Sequence, residues 1–136
     1  MNKIFEIKCA TIELLSDDVI LIQYLEDYAV EIDDVKELDV KLSNYLKGKK
    51  IYTITDFSNQ FNSFSKEAQQ FLAKEGKVIA LLLASAVVIN NLPTRLLARF
   101  FMRFHKPNYP VKIFANISNA KDWIAELKQQ DQKIAS

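Results

Sequence analysis

The stretch Val19-Ile20-Leu21-Ile22-Gln23-Tyr24-Leu25 is apolar almost throughout. A strand with one wet face alternates apolar and polar side chains, whereas a strand covered on both faces runs nearly unbroken. This stretch is of the second kind and predicts a strand inside a sheet layered on both sides. Ser16-Asp17-Asp18 just before it is turn chemistry, because short polar side chains hydrogen-bond their own backbone. Ahead of the turn, residues 4–15 are rich in Ile, Phe and Thr. Phe5, Ile7 and Cys9 share one phase, Ile12 and Leu14 the other. The change of phase around Ala10-Thr11 marks a bulge or two short strands. The chain therefore opens with a hairpin.

Beyond Asp33 the period lengthens. Val35, Leu38, Leu42, Tyr45 and Leu46 recur at helical spacing. Asp34 and Glu37 stand at capping-box spacing, and Gly48 supplies a left-handed end. Residues 51–57 read as a strand, and Ser65 caps a second helix carrying Ala68, Phe71 and Leu72 on one side. The run 78–89 begins with Ala and Leu and ends in β-branched residues, so it divides into helix to about 81 and strand at about 84–89. A third helix follows over 94–104, closed by Pro107 and Pro110, then a short strand over 111–115. Ser118 caps a last helix with Ala120, Trp123, Ile124 and Leu127 on one face, and the polar tail after Lys128 is expected to fray. The order β-β-α-β-α-β-α-β-α, with no linker or repeat, predicts a single α/β domain over residues 1–136. Its sheet is mostly parallel, with an N-terminal antiparallel hairpin and helices packed on it.

Composition excludes more than it assigns. The 18 basic and 17 acidic residues leave a formal charge of +1, which argues no affinity for nucleic acid. Gly48 and Gly76, the only glycines, cannot form a phosphate-cradling loop. One histidine and one cysteine supply neither a structural zinc site nor a disulfide. No cofactor is implied. The N-terminus lacks the apolar core of a signal peptide, and the run 78–89 is shorter than the roughly 20 residues a bilayer span needs. A cytoplasmic protein is expected, with Cys9 a buried small hydrophobe.

Two stretches carry a family resemblance. Ile51-Tyr52-Thr53-Ile54-Thr55-Asp56-Phe57-Ser58 is similar to the hydrophobic strand ending in Asp-Leu-Ser of bacterial anti-sigma-factor antagonists. Lys106-Pro107, Pro110-Val111-Lys112-Ile113-Phe114 and Ala120-Lys121-Asp122-Trp123-Ile124 complete the pattern. Over residues 10–127 the chain resembles the STAS superfamily, in the branch of small stand-alone bacterial proteins grouped with both STAS and lipid-binding CRAL-TRIO folds. The resemblance implies a STAS-like fold and a regulatory role through protein association. Antagonists carry a phosphorylatable serine in an Asp-Ser-Ser/Thr-Gly turn. Here the matching region is Asn62-Ser63-Phe64-Ser65-Lys66-Glu67, without the Asp-Ser pair or the glycine. Ser65 is the nearest match, and its role as a helix N-cap is a sufficient alternative.

Ligands of open α/β sheets sit beyond the carboxyl ends of the strands. Those ends present Asp56, Ser58 and Asn59, then Asn90 and Asn91, then Asn116. Amides donate and accept hydrogen bonds without exchanging protons near neutral pH, so this rim suggests binding and not catalysis. As loop and cap residues the same side chains would satisfy backbone groups instead. His105 beside Lys106 suits the negative end of the third helix better than general-base work. The acidic group Glu26, Asp27, Glu31, Asp33 and Asp34 lacks a glycine-pivoted loop and reads as a solvated, helix-capping run.

The third helix is the most informative. Arg95, Arg99 and Arg103 form one narrow stripe; Leu96, Leu97, Phe100, Phe101 and Phe104 fill a broad face; Ala98 and Met102 lie beyond the arginines. Three arrangements account for so apolar a surface. It is an interface with a partner or a second copy that buries a second apolar strip, with the arginines at its edge and Arg95, Arg99, Phe101, Met102 and Arg103 as its residues. It covers an apolar ligand or lipid held between helix and sheet. Or it is a deeply buried core helix whose only wet face is the arginine stripe. A non-enzymatic interaction module, self-associating as a homodimer through this helix, is the first expectation. A carrier or sensor of a small apolar molecule is the second.

Overall fold

Val19–Tyr24 forms a strand buried on both sides: Ile20, Ile22 and Tyr24 enter one core cluster, Val19 and Leu21 another. The protein is described by a computed structural model covering residues 2–57, 64–104 and 106–135, without the side chains of Asn2, Phe101, Phe104 and 133–135. Its sheet has six strands: β1 (Asn2–Glu6), β2 (Ala10–Ser16), β3 (Val19–Tyr24), β4 (Ile51–Asp56), β5 (Leu82–Val88) and β6 (Val111–Phe114). They lie side by side in chain order. The first two pairings are antiparallel and the remaining three parallel. The phase change in residues 4–15 is thus a reversal between two strands, closed by the Ile7 N–H donating to the Ala10 carbonyl at 3.0 Å. Both strands join the sheet, so the expected hairpin is a three-stranded antiparallel meander.

Among the described residues four α-helices accompany the sheet: α1 (Ile32–Leu46), α2 (Lys66–Gln70), α3 (Leu92–Phe104) and α4 (Ile117–Ala135). Each parallel crossover moves one strand along the sheet in the same direction, and a right-handed hand puts the intervening helices on one face. Val35, Leu38 and Leu42 of α1, Ala68 of α2 and Ala98 of α3 accordingly cluster with Ile20, Ile22 and Ile51. The opposite face is left to α4, whose Ala120 and Ile124 bury against Leu21, Ile54 and Ala86. Trp123 packs there beside Phe114, ring centroids 5.7 Å apart.

Several helix ends differ from the sequence expectation. The Glu31 N–H donates to Asp34 at 2.9 Å, so α1 is capped one turn before Asp34/Glu37. It closes through Lys47 and Gly48, both with positive φ. Asn116, not Ser118, caps α4 by accepting from the Asn119 N–H at 2.8 Å. After α2 the chain continues through a π turn over Phe71–Glu75 and a 3-10 turn over Val78–Leu81. The helix expected up to about 81 is therefore two short pieces, one wound wider and one tighter than an α-helix. Asp39, buried in the middle of α1, accepts from the Lys77 and Val78 N–H groups at 2.9 Å each. The tail also departs from expectation. Helix α4 runs past Lys128 to Ala135, held by the Lys128–Asp18 ion pair at 2.7 Å and by the Tyr52 hydroxyl donating to Asp131.

Candidate functional site

Helix α3 sits over the parallel end of the sheet with its small residues inward. Thr94 and Ala98 are buried, Ala98 to 3% exposure, and Met102 is half-buried. Among the described side chains, four large apolar ones turn outward instead: Leu92 is 56%, Leu96 53%, Leu97 46% and Phe100 56% exposed. The deeply buried core helix is therefore excluded. The inward stripe packs toward the sheet and also borders a gap beside it. A cavity of about 170 Å³ lies between Ala98 and Met102 of α3, Thr53, Thr55, Ser85 and Val87 of the sheet, Leu38 and Leu42 of α1, and Phe71 and Leu72 of the π turn. Pro107, Tyr109 and Val111 line it beyond the end of α3.

The lining is mostly apolar, with a small polar floor. Thr53 Oγ1 donates to Ser85 Oγ at 2.9 Å, both side chains being buried. Two hydroxyls joined by one bond use one of their two protons, and the other can meet an acceptor in the cavity. Nearby Tyr109 has its phenol pushed up from its ordinary value by burial, which keeps it a neutral donor. Asp39 also reaches the cavity, but its two oxygens hold the Lys77 and Val78 N–H groups. At the far end Tyr24, Phe57 and Phe64 form an aromatic cluster, with ring centroids 4.8 to 5.4 Å apart. The Tyr24 phenol is raised chiefly by burial and then by Cys9. Burial pushes the Cys9 thiol up to about 12, with the Asp34 charge adding to it, so the thiol is inert at neutral pH.

The predicted rim is dispersed into local roles. Asn91 accepts from the Thr94 N–H at 2.8 Å and caps α3, as Asn116 caps α4. Asp56 takes the Gln23 amide at 3.4 Å across β3 and β4, and Asn90 lies in the turn between β5 and α3. Ser58 and Asn59 lie outside the described residues, as do Asn62, Ser63 and His105, and Phe101 is described only in its backbone. Ser65 caps α2, its Oγ accepting from the Ala68 N–H at 3.1 Å. In the acidic run, Asp34 is engaged by the Tyr28 hydroxyl and the Glu31 N–H, each at 2.9 Å.

Along α3 the arginines flank the exposed apolar strip on one side. Arg99 and Arg103 are exposed; Arg95 is half-buried and its Nε has no hydrogen-bond partner among the described residues. One signal was present in the sequence and missed by counting charge over the whole chain. Between Glu75 and Asp122 there is no acidic residue, while seven basic ones occur.

A family model described as "Domain of unknown function (DUF7793)" matches residues 13–128. No curated protein and no solved structure matches the chain.

Proposed function

The chain belongs to the DUF7793 family, a membership that brings no chemistry with it, and from the site itself we propose a non-enzymatic, STAS-like binding module that takes a small apolar ligand. The cavity beneath α3 carries this reading. An apolar guest there takes its own surface and that of the mostly apolar lining out of water and gains dispersion contacts with the walls. The Thr53–Ser85 pair adds one directional proton, which favours an alkyl or aromatic body bearing a single hydrogen-bond acceptor. The sheet that opens antiparallel and continues parallel supports the STAS-like assignment. Association through α3, the other expectation from the sequence, has the exposed strip as its support, and the occupant of that strip is argued below.

The test is a thermal-shift and calorimetric titration with toluene and with 1-octanol. A ligand at a hundred times its Kd stabilises the native state by about 2.7 kcal/mol, seen as a rise in Tm. Ala98→Leu projects into the cavity from its α3 wall and should abolish the shift with both probes, whatever its own effect on the melting temperature of the empty protein. Ser85→Ala should weaken octanol more than toluene. An unchanged Tm with both probes, in a protein that native mass spectrometry shows to be empty, would remove the reading.

A further inference from the structure

We propose that the outer face of α3 is a docking surface for an anionic lipid membrane, on which the helix lies in the plane of the interface. Leu92, Leu96, Leu97 and Phe100 form a continuous exposed strip on a 13-residue helix. Helices that lie in an interface combine such a strip with basic residues along its border and no acids to oppose the headgroups. Helix α3 has that composition. Arg99 and Arg103 stand exposed at the border of the strip, and Lys106 follows the helix in the same acid-free run. An arginine so placed lays its methylene stem along acyl chains and lifts its guanidinium to the phosphate level. The acid-free stretch extends on both sides of the helix along the chain, so no acid adjacent in sequence offsets the arginines although the chain as a whole is nearly neutral.

Charge also argues against a second copy as the occupant. A two-fold pairing brings the same patch of each chain together, and α3 would meet α3. Arginines would then line the same seam from both sides, with no carboxylate on either helix to separate them. A bilayer with anionic headgroups satisfies the strip and the arginines together. No described helix is long and apolar enough to cross it. The inference concerns the outward face of α3 and not the cavity behind it, so either can fail alone.

Co-sedimentation of the full chain with vesicles of phosphatidylcholine, alone or with phosphatidylglycerol as about a third of the lipid, is the test. Binding is expected on the anionic vesicles, at least about tenfold tighter than on the neutral ones and weakened by salt. Leu96→Ser with Phe100→Ser should lose about tenfold or more on anionic vesicles. Arg99→Gln and Arg103→Gln should each lose roughly fivefold and flatten the salt dependence. Since all four side chains are exposed or at the border, Tm should stay within about 2 °C, which separates lost docking from lost folding. Absence of binding to the anionic vesicles would overturn the proposal, as would binding that the variants leave intact. So would a lipid-free dimer in light scattering that Leu96→Ser dissociates, which assigns the strip to a second copy.

Discussion

Gly76 has no side chain for a reason the structure makes plain: a Cβ there would stand 2.6 Å from Asp39 Oδ1. That carboxylate accepts two backbone N–H groups and ties α1 to the 3-10 turn, on the wall of the cavity. Gly76→Ala should push the carboxylate away and cost about 2 kcal/mol, measured by urea denaturation. Asp39→Ala should cost as much, and Asp39→Asn, which keeps one acceptor, less. Cys9 gives a pH prediction whose sign is fixed by burial. Its folded pKa lies near 12 against an ordinary 9.0, so the native state keeps a proton that the unfolded chain sheds. Its contribution is whole below pH 9 and is lost between about pH 9 and 12. The buried phenols of Tyr24 and Tyr52 act in the same direction. Denaturant melts across that window should show stability falling, and Cys9→Ala should make the fall shallower.

At the scale of elements, α3 is a helix whose orientation the sequence left open. The spacing separates an arginine stripe, a large apolar face and a small face at Ala98 and Met102, but periodicity does not say which face meets the sheet. The small face does, because Ala98 lets the backbone approach while the cavity accommodates Met102. The consequence is measurable: Leu96→Ser should leave stability within about 0.5 kcal/mol, whereas a core leucine such as Leu42 changed to Ala should cost about 2–5 kcal/mol. Strands and helices were legible where apolar residues recur with one period, as in β3, α1 and β4. Caps were less so, because Glu31 competes with Asp34 for the start of α1 and Asn116 with Ser118 for α4. The extension of α4 to Ala135 was hidden because its partners, Asp18 and Tyr52, are remote in sequence. Tyr52→Phe removes the bond to Asp131 and should cost about 1–2 kcal/mol, with faster amide exchange confined to the last turns of α4. The cavity was anticipated only as a place between α3 and the sheet. Its floor joins Thr53 to Ser85 on neighbouring strands, a pairing visible only once β4 and β5 are in register.

For the whole molecule, a net charge of +1 conceals a division along the chain, since the stretch between Glu75 and Asp122 has no acid. A cation exchanger at neutral pH should therefore retain the protein and release it with salt, and exchanging Arg99 and Arg103 for glutamine should shorten retention. The six strands are laid down in chain order, so a strand leaving the ribosome always finds the previous one already waiting at the growing edge. No strand has to be inserted between two others, and nascent chains of rising length should gain protease resistance in steps. The opposite side of that growing sheet stays bare until α4 is made, because among the described residues it is α4 that shields Leu21, Ile54 and Ala86. Synthesis that stops short of Ile117 would release a nearly complete sheet with one greasy side to water, a species for chaperones to catch before it finds its like.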